Sequence, residues 1–305
     1  MIVSRGRAVL LAALGTTCFA ATAHAQTVPP KLAAPADCAT NPNCIPGLKQ
    51  VYDVDPTANL VKLPDPDSGI QALDDGLADV AVAFSSNPQL SRPDVVTLRD
   101  DKRMIGPDRV VPAVRTATLK RYGVDLRRRL NAASRLLTTL ALRGLNQQVI
   151  DGRLPEAVGG EFIDANGLGG TAKRKPGPRI VVGYQDFDEN QTLAYLYAEA
   201  LRAGGFRVVV RDVRGLRPQV VRKLRRDEID LYPAYAGSLL RYLVGTSPKR
   251  LKAGLKRTLA RIDAEPMRLS RAEDSNVFVT KTDTASRLGL ARISDLARYW
   301  QPAGS

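Results

Sequence analysis

Val80-Ala81-Val82-Ala83-Phe84 is an unbroken apolar run with polar residues on both sides. That is the pattern of a strand covered on both faces, as in α/β proteins. At its end the polarity flips to Ser85-Ser86-Asn87-Pro88. Ahead of it, Ala58–Lys62 predicts a strand, and Ile70–Leu73 a short amphipathic helix ending near Gly76. A similar unit recurs later. Pro218 opens a helix through Val221 and Leu224, Asp227-Glu228 breaks it, and Ile229–Tyr232 reads as a strand leading to Pro233-Ala234-Tyr235-Ala236-Gly237. Two such units predict two lobes of similar α/β construction.

The rest of the pattern fits that frame. Ile180–Val182 predicts a strand. Asp188, with Gln191 three residues on, predicts a helix start of the capping-box kind. Leu193, Leu196, Tyr197, Ala200 and Leu201 form its apolar stripe, Gly204-Gly205 stops it, and Val208–Val210 is the next strand. Asp125–Ile150 reads as a helical region. Pro155 starts another helix, which ends at Asn166-Gly167. Gly169–Pro178, rich in Gly, Lys and Pro, is the clearest linker. Pro46–Tyr52 and Lys249–Ile262 read as helices, Asn276–Thr280 as a strand, and Ser294–Arg298 as a short capped helix.

Composition narrows the chemistry. Of 305 residues, 44% are hydrophobic, too many for a disordered chain. Arg5 and Arg7 precede a small-apolar run, Ala8–Ala23, followed by Ala23-His24-Ala25, which predicts a secretory signal peptide over residues 1–25. Its removal takes away His24, the only histidine. A mature chain without imidazole excludes histidine-dependent triads, HExxH metal sites and histidine bases. Hydrolysis by paired carboxylates stays open on composition. We expect no enzyme, no catalytic residue, no cofactor and no metal. Cys38 and Cys44 are an even, closely spaced pair in an exported chain, which reads as a disulfide. A two-ligand metal site is the weaker reading, because zinc takes four ligands.

The net charge of +14 raises the question of nucleic acid. The basic runs Lys120–Arg129, Arg222–Arg226 and Lys249–Arg257 flank amphipathic helices with Tyr122 as their one aromatic, so they read as solvated faces. Gly183–Glu189 follows a strand and precedes a helix, where open α/β sheets bind ligands and where helix N–H groups favour an anion. Tyr232 and Tyr235 sit at a strand tip, where ring faces can wall a pocket for a diffuse cation and Ser238 can orient a polar end.

Several of these stretches together resemble one family, the substrate-binding proteins of osmoprotectant ABC importers for glycine betaine, choline or carnitine. The family's Gly-Ser-Lys-Asn-Phe-Thr-Glu-Gln resembles the stretch Val182–Asn190, and its Gly-Glu-Ile-Asp-Leu-Tyr-Pro-Glu-Tyr-Thr-Gly-Thr resembles Asp227–Ser238. Further likeness covers Cys38–Tyr52, Leu98–Pro112, Leu145–Val149 and Ile293–Ala297. The order is swapped. The unit that comes first in the family is like residues 179–300, and the second is like 30–168, as in a circular permutation with its new break between Trp300 and Lys31.

The resemblance implies a two-lobed, periplasmic-binding-protein-like α/β fold (type II) in circularly permuted order. One lobe would be residues 97–265, and the other residues 26–96 plus 266–305. It implies a periplasmic monomer that captures a small zwitterionic or quaternary-ammonium solute between the lobes and works with ABC permease and ATPase subunits. A ligand-sensing module without transport is the alternative. The ligand-binding positions carried over are Phe84, Asn87, Asp108, Arg109, Gln185, Asp186, Phe187, Tyr232, Tyr235 and Ser238. Gln185 stands for a family Lys, Asp186 for Asn, Asp188 for Thr, and Asp108-Arg109 for Tyr-Asn. With a cage aromatic replaced by charges, an amino-acid-like zwitterion is the alternative ligand.

Overall fold

The computed structural model describes Met1, residues 28–245 and residues 251–301. Apart from Met1, the expected signal peptide lies outside the described residues. No helix among them is long and apolar enough to cross a membrane.

Ten strands are present among the described residues: β1 (Leu32–Pro35), β2 (Leu60–Leu63), β3 (Val80–Phe84), β4 (Val95–Thr97), β5 (Val110–Arg115), β6 (Ile180–Tyr184), β7 (Val208–Asp212), β8 (Leu231–Tyr235), β9 (Ala264–Pro266) and β10 (Asn276–Lys281). They make two five-stranded sheets, in the orders β2-β1-β3-β10-β4 and β7-β6-β8-β5-β9. In each sheet the first three strands are parallel, and the fourth runs antiparallel to both neighbours. The two sheets therefore share one topology, and β3 and β8 occupy the same place in it. The antiparallel strand of each sheet, β10 or β5, is the first strand after the chain crosses from the other lobe.

Helices cover both faces of each sheet, which is why the strands read as continuous apolar runs rather than alternating ones. Successive residues still go to opposite sides. Val80 and Val82 join one core while Ala81 and Ala83 join the other, and Ile180 and Val182 are separated from Val181 in the same way.

The crossings fall near 106–109 and 273–275, not at the 96/97 and 265/266 boundaries expected from sequence. Leu98, Met104 and Ile105 pack in the first lobe's core because Asp100 gathers their loop. It accepts bonds from the Tyr52 hydroxyl (2.5 Å) and from the Met104 and Ile105 amides (2.9 and 2.7 Å). At the other crossing, β9 pairs with β5, and Met267 and Ala272 belong to the second lobe's core.

The first lobe is closed by the two ends of the described chain. The fully buried Trp300 donates from Nε1 to the Pro30 carbonyl at 2.8 Å, and its own carbonyl accepts the Asp55 amide at 3.1 Å. The Cys38–Cys44 disulfide sits in the same core, with its Cα atoms 5.2 Å apart.

Two local expectations change. The helical region 125–150 is two helices, Thr116–Leu136 and Thr139–Ile150, with a non-helical Gly123 (φ 62°) inside the first. The break holds because Leu137 turns extended and its carbonyl accepts the Arg271 and Ala272 amides, while Thr138 Oγ1 caps the Ala141 amide at 3.1 Å. The helix after β6 runs Asp188–Ala203 with Phe187, not Asp188, at its N-cap. Phe187 is extended (φ −161°, ψ 150°), so the helix begins one residue earlier and lacks the side-chain cap that the spacing suggested.

Candidate functional site

The C-terminal ends of β3 and β8 open onto one cleft between the sheets. Phe84 ends β3 and Tyr235 ends β8, and both line it. Two adjoining cavities of about 500 and 800 Å³ share Asp67, Phe84, Phe187 and Asp274. That volume suits a small organic solute.

Of the residues expected at the site, Phe84, Asp108, Gln185, Phe187, Tyr235 and Ser238 come together along the larger cavity, and Phe84, Asn87 and Phe187 along the smaller. Three do not line the cleft. Tyr232 is three residues from Tyr235, an odd spacing in a strand, so it points to the opposite face of the sheet. There it is fully buried in a separate apolar core. Asp186 is exposed, and its amide bonds the Gly215 carbonyl. Arg109 turns to an outer concavity beside Pro107, Arg127 and Arg268, and pairs with Glu273 at 3.0 Å across the two crossing segments.

Asp108 organises the start of the helix Ala236–Val244. Its Oδ1 accepts the Gly237 and Ser238 amides at 2.7 and 3.0 Å, and Oδ2 accepts the Ser238 hydroxyl. These amides have no partner inside the helix, so a carboxylate here acts as a cap. Glycine at 237 permits the approach, since a Cβ there would lie 3.0 Å from the Pro107 carbonyl oxygen and 3.2 Å from Asp108 Oδ1. Burial raises the Asp108 pKa, opposed by Ser238, Arg241 and Arg217.

A second acidic network crosses the cleft. The Tyr235 hydroxyl donates to Glu189 Oε1 at 2.5 Å, and Asn146 Nδ2 donates to Glu189 Oε2 at 2.6 Å and to the Ser86 carbonyl at 3.2 Å. Ser86 Oγ donates to Asp274 Oδ1 at 2.8 Å. Asp67, from the first lobe, accepts from Asn87 at 3.3 Å. Burial raises the pKa of Glu189 and of Asp67, and raises that of Asp274 well above the usual carboxylate range, where the charge of Glu189 adds to it. Tyr235 is also pushed well up, first by burial and then by Glu189. The ring of Phe187 stacks on that of Tyr235, centroids 6.2 Å apart. The helix start that sequence suggested for an anionic ligand thus carries Asp188 and Glu189 in its own first turn, where the helix dipole favours them.

The larger cavity has a cationic side. Arg217 and Arg241 line it together with Gln185. Gln185 is 2% exposed, and its Nε2 has no hydrogen-bond partner among the described residues. No cluster of three or more His, Cys, Asp or Glu suited to a metal ion occurs among them.

The two crossing segments lie side by side. The Asp274 amide donates to the Asp108 carbonyl at 3.1 Å, and the Asp108 amide to Ser275 Oγ at 3.1 Å. Beyond this hinge, the second lobe's helix Thr139–Ile150 reaches the first lobe. Arg143 Nε donates to the Ser85 carbonyl at 2.8 Å, beside the Asn146–Ser86 bond.

Sequence reasoning missed Asp67, Asn146, Glu189, Arg217, Arg241 and Asp274. Glu189 stood inside the strand–helix stretch already singled out, and its place in the helix's first turn was a usable signal. Asp274 gave none, because only the crossing of the chain brings it to the cleft.

A family model for the substrate-binding domain of ABC-type glycine betaine transport systems matches residues 20–165 and 178–304. No curated protein matches the chain significantly in sequence. Solved structures similar to it include a phosphate-binding protein of a phosphate ABC transporter from Streptococcus pneumoniae (8% identity, TM-score 0.44, covering 88% of this chain and 95% of that one). The GluR0 ligand-binding core in complex with L-glutamate is another (10%, 0.40, 91% and 100%). NikA from Brucella suis in complex with Fe(III)-EDTA is a third (13%, 0.41, 73% and 57%), so the chain spans under two thirds of that protein's length.

Proposed function

Because this chain belongs to the family of substrate-binding domains of ABC-type glycine betaine transport systems, we propose that it captures a small zwitterionic solute outside the cytoplasm for an ABC importer. The observation that carries this reading is the bipolar lining of the cleft. Phe84, Phe187 and Tyr235 with Glu189, Asp274 and Asp67 suit a cationic group. Gln185, Arg217 and Arg241 suit a carboxylate. The lobes close by rotation about the paired segments 106–109 and 273–275, which burial of the solute favours. Substrate-binding proteins of this kind deliver solute to permease and ATPase subunits, and the same partners are proposed here.

Calorimetry with glycine betaine, choline, carnitine and proteinogenic amino acids tests the reading. Saturable binding of at least one zwitterion, with a more compact scattering profile on binding, is expected. Absence of binding by every zwitterion in the panel would sink it.

A further inference from the structure

We infer that the cation-binding end of this cleft is built for an ammonium group that still carries N–H donors, such as a primary or secondary amine, in preference to a quaternary ammonium. The inference rests on the zwitterion reading above and names the chemistry of one end of the ligand.

The balance of rings and acceptors argues for it. A quaternary ammonium offers charge and methyl groups but no donor, so it is best met by several ring faces. Here three rings line the cleft, and two of them, Phe187 and Tyr235, already stack on one another. Tyr232, which would have added a ring, faces a different core.

Acceptors are abundant instead. Glu189, Asp274 and Asp67 all line the smaller cavity. Among the described residues, Asp274 Oδ2 and Asp67 Oδ2 accept no hydrogen bond. Both residues line the cavity with these oxygens left to solvent or ligand, so a ligand N–H can meet them in a charge-assisted N–H···O bond, which a quaternary nitrogen cannot make. Distance works the same way. An N–H nitrogen reaches a carboxylate oxygen at about 2.8 Å, whereas methyl groups hold a quaternary nitrogen further off and weaken the attraction in proportion.

An independent observation marks the other end. Gln185, nearly fully buried, presents an unpartnered Nε2 donor beside the same cavity as Asp274 and Phe187. A ligand carboxylate supplies the acceptor it lacks. The ligand class is therefore an amino acid or amino-acid derivative with a free or singly methylated amine.

Methylation at constant charge isolates this property. The full chain would be titrated calorimetrically with glycine, N-methylglycine, N,N-dimethylglycine and glycine betaine, and with 4-aminobutyrate against its N-trimethyl form. Affinity is expected to fall by about tenfold for each N–H hydrogen bond lost. Glu189→Gln and Asp274→Asn should each flatten that preference, and Phe187→Ala should weaken both members of a pair alike. Thermal melting of each variant checks that it is folded, and the wild-type series stands without them. Equal or tighter binding of the trimethylated member overturns the inference and leaves the solute-binding reading intact. No binding by any member, free or methylated, overturns both.

Discussion

Phe84 and Tyr235 end the same strand of two sheets built alike, yet they are held by different means. Tyr235 is fixed through its hydroxyl, within a half-buried chain of Glu189 and Asn146, and the helix that follows it is capped by Asp108. Phe84 has no polar handle. The turn after it offers the Ser85 and Ser86 carbonyls, which the second lobe grips through Arg143 and Asn146. A shared topology fixes where a strand tip lies, and the residues there decide what it does. The second lobe carries the buried polar framework. The first supplies an apolar wall, assembled from chain segments far apart in sequence and stapled at its ends.

That contrast predicts where each lobe is most vulnerable. The largest effect should come from Trp300→Ala. Trp300 is 1% exposed and ties Pro30 and Asp55 to the first lobe's core. Losing a buried ring of this size costs about 3–5 kcal/mol. Tyr197→Phe in the second lobe removes only the hydroxyl that meets Ser134 at 3.0 Å, and should cost about 1 kcal/mol. Urea denaturation measures both. A loss at Trp300 no larger than that at Tyr197 would remove the idea that the first lobe depends on its ends.

Next in size is Asp230→Ala in the second lobe. The Asp230 carboxylate accepts Thr118 Oγ1 at 2.5 Å and the Val181 amide at 2.8 Å, with Arg115 at 3.7 Å, and so joins β6 to the helix after β5. Its removal strands partly buried donors and should cost about 1–3 kcal/mol. Denaturation should show no such loss for Asp230→Asn if shape alone matters. A loss there too assigns the effect to the carboxylate.

Much of this frame was legible in the sequence. The apolar runs at Val80–Phe84 and Ile180–Val182 gave buried strands because sheets covered on both faces leave an unbroken signal. The likeness between the units around Phe84 and Tyr235 reflected their equivalent places in the two sheets. The family model's two matched pieces stop and resume at 165 and 178, across the Gly/Lys/Pro linker, and Trp300 touches Pro30. What stayed hidden was long-range. The opposite facing of Tyr232 and Tyr235 follows from their odd spacing once one strand holds both, but nothing local tells that Arg109 leaves the cleft for Glu273 or that Asp274 returns to it.

The pH response of the empty protein separates the lobes further. Glu189 and Asp274 have folded-state pKa values above the ordinary range, so the folded chain holds protons that the unfolded chain has released. Their contribution falls as pH rises from roughly 4, the unfolded value, upward through the raised folded values. The groups facing them are Tyr235, Asn146, Ser86, Asp67 and Asp108, with Arg143 and the Arg109–Glu273 pair nearby. The empty protein should therefore melt lower at pH 7 than at pH 5, and Asp274→Asn should narrow the difference. Identical differences in wild type and variant would show that the cleft acids are not the source.

The smallest effect, and of opposite sign in pH, belongs to the first lobe's edge. Arg92 and Lys281 sit between Asp74 and Asp94, joining the helix Gly69–Asp74 to the edge of the sheet at β4 and β10. These hydrogen bonds hold the Asp74 carboxyl down at about 2. A depressed folded-state pKa gives stability that is present above the unfolded value of about 4 and lost as pH falls through about 2. The side chains are a quarter to a third exposed or more, so solvent and salt screen the network. Arg92→Ala should thus cost less than about 1 kcal/mol at neutral pH, and still less at 1 M salt. Asp230, with only 13% of its side chain exposed, should show no comparable salt dependence. Equal salt sensitivity at the two sites would mean that burial is not what distinguishes the lobes, and the contrast between an ion-paired rim and a buried polar framework would have to be given up.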